Sequence, residues 1–118
     1  WFEVVALMNS KSAASTAALE HMAKASGTDL AGFQSQLNTT KLFATPKEAL
    51  DFATSAQLPQ TMRKVAEFSF QHGLLGEGAK DTSAIGMSFA NGVTSGDKTN
   101  LKLRFDPSYV QMAAEGKL

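Results

Sequence analysis

Asn100-Leu101-Lys102-Leu103-Arg104-Phe105-Asp106-Pro107 is the stretch on which the fold turns. Leu101, Leu103 and Phe105 alternate with Lys102 and Arg104, the period-two pattern of a strand with one face on a core and one in water. Asp106-Pro107 then restarts a helix, with Asp as the cap and Pro at the first helical position. Tyr109, Val110, Met112 and Ala113 pack that helix, and Gly116 ends it. Just upstream, Asn91-Gly92 and Ser95-Gly96-Asp97-Lys98 carry turn chemistry. By periodicity this is the chain's one strand. A lone strand leaves its own backbone groups without partners, so the pattern predicts a partner outside the chain, either more of a longer parent protein or a second copy.

Everything amino-terminal to the turns reads as helix. Trp1 to about Asn9 places apolar residues at 1, 2, 4, 5, 7 and 8, as in the middle of a helix rather than its start. That opening is expected of a segment cut or processed from a longer protein, with a docked terminal helix as the alternative. Ser10 or Ser12 caps a second helix running to about Ala25 and stopped by Gly27, with Ala13, Ala14, Ala17, Ala18, Met22 and Ala25 as its face. Thr28 caps a third, with Asp29 in the first turn and Leu30, Phe33 and Leu37 at helical spacing. The strongest helix start is Thr45-Pro46-Lys47-Glu48, a capping box with proline at the first helical position. Pro59 opens a further helix carrying Met62, Val65, Ala66, Phe68 and Phe70 and closed by Gly73. Asp81 or Thr82 starts a shorter one through about Ala90. The expected fold class is therefore mostly α: one helical body over 1–118, with a helical layer over 1–90 and a turn, strand and terminal helix over 91–118.

Composition narrows the function. Among 118 residues, 43% are hydrophobic and 19% charged, the balance of an ordered globular chain. Lys+Arg and Asp+Glu stand at 11 each, so no field of one sign exists to attract nucleic acid, and no basic stripe with interleaved aromatics appears. With no cysteine, disulfides, thiolate metal sites and Cys nucleophiles are excluded. No apolar run approaches the ~18 residues of a membrane span.

A search for catalytic chemistry finds no constellation. His21 lies mid-helix, and His72 sits in a last turn where a cation complements the helix dipole. Neither belongs to a His-x-x-x-His or Glu-x-x-His metal pattern. Asp29, Glu48, Asp81 and Asp106 all have capping or first-turn explanations. Gly-x-Ser-x-Gly is absent. Gly73-Leu74-Leu75-Gly76-Glu77-Gly78 follows a helix and lacks the order of a dinucleotide loop. The expectation is a chain without catalysis, cofactor or metal.

The order of motifs resembles a known family. Gly96-Asp97-Lys98-Thr99-Asn100-Leu101-Lys102-Leu103-Arg104-Phe105-Asp106-Pro107-Ser108-Tyr109, closing on Ala113-Ala114-Glu115-Gly116-Lys117-Leu118, is similar to the end of substrate-binding proteins of nitrate/sulfonate/taurine-type ABC transporters. Trp1-Phe2-Glu3 entering a helix, Leu42-Phe43-Ala44-Thr45-Pro46-Lys47-Glu48-Ala49, and His72-Gly73-Leu74-Leu75 fit the same order. The resemblance implies the carboxy-terminal portion of a two-lobed α/β periplasmic-binding-protein fold. It implies a periplasmic location, a small polar or anionic solute, and an ABC permease as partner. The amino-terminal strands and most of a binding cleft have no counterpart in these residues. The segment Asn38 to Phe43, between two helices, is the candidate cleft-facing loop, with Thr39, Thr40 and Lys41 as candidate ligand contacts and a plain solvated connector as the alternative. The rival reading of the whole is a small α-helical interaction domain unrelated to transport. The chain by itself is expected to self-associate through its terminal segment.

Overall fold

In the computed structural model, which describes residues 1–118, helical elements take 56% of the chain, with six α-helices and a three-stranded sheet. The mostly α class therefore holds, but the single strand does not. The residues fall into two compact units, Trp1–Glu48 and Ala49–Leu118. No helix is long and apolar enough to cross a membrane.

In the first unit, side chains that satisfy orphan backbone groups set the helix ends. Helix α1 spans Phe2–Asn9 and α2 spans Ala13–Ala25. Ser12 caps α2 by accepting from the Ser15 N–H at 3.1 Å. Gly27, at φ +72°, closes it, with the Thr28 N–H donating to the Ala23 carbonyl at 3.0 Å. That bond ties Thr28 to the end of α2, so the cap of α3 (Leu30–Asn38) moves one residue on from the expected Thr28. The Asp29 carboxylate accepts from the Gly32 N–H at 2.8 Å. The packed face of α2 also differs from the expected alanine stripe. Ser15, Leu19 and Ala23 are buried, whereas Ala13, Ala14, Ala17 and Ala25 are exposed. The Ser15 hydroxyl donates to the Met8 carbonyl at 2.8 Å, so a polar residue goes inward because it has a partner there. Val5 of α1 is fully covered.

Helix α4, Pro46–Ala53, opens on the expected capping box. The Glu48 N–H donates to Thr45 Oγ1 at 3.2 Å, and Glu48 Oε2 accepts from the N–H groups of Ala44 and Thr45 at 3.0 and 3.2 Å.

In the second unit, α5 runs Gln57–Gln71, so Pro59 stands inside the first turn rather than opening the helix. Proline is tolerated there because that turn's N–H groups have no intrahelical acceptor. Ser55 Oγ meets one of these groups by accepting from the Leu58 N–H at 3.2 Å. Helix α6 spans Ser108–Ala114.

The expected helix over 81–90 is the main correction. Thr82–Ala84 form only a short 3-10 turn, and Gly86–Ser88 are strand β1. Strand β2 is Thr94–Ser95 and β3 is Leu101–Arg104, in the order β2-β1-β3. β1 runs antiparallel to β2 and parallel to β3, pairing Met87 with Leu103. The strand read from Leu101 onward thus finds its partner inside the chain. Gly86 makes this possible: a Cβ there would strike the Asp97 carbonyl oxygen and lie 2.6 Å from that of Asn100. Alternation of Ile85, Met87 and Phe89 with Gly86 and Ser88 is the strand pattern that the Asp81 cap obscures.

One apolar cluster holds this unit. Leu58, Met87 and Phe89 are buried, and Met62, Ala66 and Phe105 pack against them. The Phe89 and Phe105 rings stack with centroids 5.0 Å apart. Burying each such side chain stabilises by roughly 1.5–3 kcal/mol.

Candidate functional site

The α1–α2 corner shapes a concavity of the first unit. Ser10 closes α1 and Ser12 caps α2, so a single residue, Lys11, absorbs the change of direction. It does so at φ +52°, in the left-handed region where a non-glycine residue is strained by about 1 kcal/mol. A hydrogen bond of 2.8 Å between the Ser10 and Ser12 hydroxyls, and one from Ser10 Oγ to the Leu7 carbonyl, hold the corner.

Beside that corner lies a depression of about 640 Å³. Met8 and Asn9 line it from the end of α1, Lys11 from the corner and Leu19 from α2. Gln34, Leu37 and Asn38 come from α3, and Thr40, Lys41 and Leu42 from the loop that follows. Three leucines, Leu19, Leu37 and Leu42, and the thioether of Met8 form an apolar part. The remainder offers amides, a hydroxyl and two ammonium groups, and no carboxylate stands among the lining residues. The volume falls within the range of about 300–1,000 Å³ typical of small-molecule sites.

Of the sequence candidates, Thr40 and Lys41 line this depression and Thr39 does not. Thr39 caps the end of α3, its hydroxyl donating to the Gln36 carbonyl at 2.7 Å. Thr40 Oγ1 reaches the same carbonyl at a longer 3.4 Å. Lys41 Nζ stands 5.9 Å from the centroid of the Phe43 ring, a loose cation–π contact that leaves the ammonium exposed. Asn38, the first residue of the candidate loop, also lines it, whereas sequence reasoning missed Lys11, Asn9 and Gln34. The one signal available was the Ser10-Lys11-Ser12 spacing, two cap residues with one residue between them.

The second unit holds smaller concavities. One of about 150 Å³ is bounded by Arg63, Glu67, Thr82 and Ser83, and one of about 110 Å³ by Val65, Ile85 and Leu103. Three of its carboxylates, those of Asp81, Asp97 and Asp106, are held in turns. Asp81 accepts from the hydroxyl and N–H of Ser83 at 2.6 and 2.7 Å, and Asp97 from those of Thr99 at 2.7 and 2.8 Å. Those bonds hold both carboxyls below the usual aspartate range. The Ser108 N–H does the same for Asp106, and Lys117 followed by Gln111 does so for Glu115. His72 Nδ1 lies 2.9 Å from the Phe68 carbonyl and its ring stacks on Phe68. No group of three or more His, Cys, Asp or Glu side chains is placed to hold a metal ion.

Comparison with known protein families, characterised proteins and solved structures finds no match to this chain.

Proposed function

We propose that the chain belongs to a binding component and not to an enzyme: the carboxy-terminal part of an extracytoplasmic solute-binding protein of periplasmic-binding-protein fold, which takes up a small polar or anionic solute and passes it to an ABC importer. One observation carries the binding half. The depression of the first unit combines Lys11 and Lys41 with Asn9, Gln34, Asn38 and Thr40 and presents no carboxylate. Ammonium groups and amide N–H donors suit the oxygens of an anion or a neutral polar solute, and no negative charge in the lining opposes them. Met8, Leu19, Leu37 and Leu42 would cover a short aliphatic portion. The delivery half, with its periplasmic location and permease partner, rests on the motif order from Trp1 to Leu118.

Titration calorimetry on the chain tests the binding half, using nitrate, a short alkyl sulfonate, the matching carboxylate and the matching amine. The anions are expected to bind and the amine is not. Lys41→Ala and Lys11→Gly should each weaken the anions by about fivefold, the scale of one exposed charge pair. Glycine at position 11 keeps the left-handed corner without strain while removing the ammonium. Equal binding of amine and sulfonate, or unchanged anion affinity in the double variant, would overturn the reading.

A further inference from the structure

We infer that the open edge of β3 is a docking site for an extended peptide segment that adds to the sheet as a fourth strand, with acidic residues opposite Lys102 and Arg104 and apolar residues on the other face. The sheet order β2-β1-β3 leaves β3 paired on one side alone. An unpaired edge is a row of backbone donors and acceptors that a further strand can engage. The side chains of β3 are sorted by face. Leu103 points toward α5, sharing an apolar concavity with Met62, Val65 and Ile85, and Phe105 packs into the core cluster. Lys102 and Arg104 lie on the opposite face and are exposed. That concavity is only half-covered: Val65 and Leu103 within it are 46% and 40% exposed. A strand laid beside β3 would cover this surface with its own alternate apolar residues.

Charge decides the occupant. In a second copy of the chain paired edge to edge, Lys102 and Arg104 would face each other's counterparts, and like charges opposed across a strand pair destabilise it. The alternating stretch of this chain carries lysine and arginine and no acid. The complementary strand is therefore one that alternates apolar residues with Asp or Glu, and it comes from a different protein.

The test uses the 118-residue chain and three synthetic decapeptides: alternating Val and Glu, alternating Val and Lys, and a scrambled Val/Glu sequence. Amide chemical shifts are followed during titration. The Val/Glu peptide is expected to shift the amides of 101–105 and to bind roughly tenfold more tightly than the Val/Lys peptide, the effect of two favourable cross-strand pairs replacing two repulsive ones. In the double variant Lys102→Glu, Arg104→Glu the preference should reverse, which a merely unfolded variant would not show. Three results would overturn the inference: shifts that map away from β3, equal binding of all three peptides, or no binding with the chain and its double variant both folded. A dimer whose contacts map to β3 in sedimentation and NMR would also overturn it, in favour of a second copy.

Discussion

The two units are built by different means. Residues 1–48 are helices joined by corners, and the starts of α2, α3 and α4 each carry a side chain aimed at the backbone within three residues of it: Ser12, Asp29 and Thr45. Residues 49–118 hold a sheet in which β1 and β3 meet over fifteen residues or more in sequence, as when Gly86 pairs with Leu101. What keeps the sheet together is the absence of a side chain at Gly86 and a stacked pair, Phe89 and Phe105. Local bonds define the first unit, and non-local fit defines the second. The second should therefore be more easily broken by one substitution.

The largest effect is expected at Phe89, 7% exposed in the core cluster. Phe89→Ala should cost about 4 kcal/mol in chemical denaturation, with loss of the resonances of β1 and β3. Gly86→Ala should follow at about 3 kcal/mol, because the added methyl meets backbone carbonyls of the 97–100 turn that cannot step aside. Gly92→Ala is the control. It has a positive φ, +73°, which Gly86 does not, and no atom lies near the new Cβ, so backbone strain alone should cost about 1 kcal/mol. If Gly86→Ala is no worse than Gly92→Ala, fit against the turn is not what holds β1.

In the first unit single changes should be milder. Ser12→Ala and Asp29→Ala each remove one cap and should cost about 1 kcal/mol, read as fraying of α2 or α3 in amide exchange. A loss as large as that of Phe89→Ala would erase the contrast between the units.

Acid supplies the smallest and most selective effect. Asp81, Asp97, Asp106 and Glu115 are all held below their ordinary values by hydrogen bonds made in the folded state, and all lie in the second unit. A folded-state value below the unfolded one contributes stability that is present above the unfolded value, near 3.8 for Asp, and is lost as pH falls through the still lower folded value. Lowering the pH from 5 to 2 should thus loosen the turns at 81–83 and 97–99. Asp97→Asn, which cannot gain charge on deprotonation, should flatten that response in its own turn. An unchanged pH profile there would show that the Asp97 bonds make no difference.

The same contrast explains what was legible in the sequence. The Thr45-Pro46-Lys47-Glu48 box, the Ser12 cap, the Gly27 stop and the strand at Leu101 each carry their physics within a few residues. The partner of that strand did not show itself, because Asp81 looks like a helix cap and Gly86 takes its meaning from carbonyls ten or more residues away. The depression divides in the same way. Thr40 and Lys41 stand out as polar residues in a short interhelical loop, whereas Lys11 enters through a left-handed corner that no residue type marks, and Asn9 and Gln34 come from two different helices. Thr39 was drawn in by adjacency, while its hydroxyl serves the end of α3.

The most direct test of the proposed binding role is an amide chemical-shift titration of the intact chain with a short alkyl sulfonate. The expected result is saturable shifts at Asn9, Lys11, Asn38, Thr40 and Lys41, reduced in Lys11→Gly and Lys41→Ala, with residues 49–118 unmoved. Shifts scattered over both units, or none at these five residues at millimolar sulfonate, would contradict it.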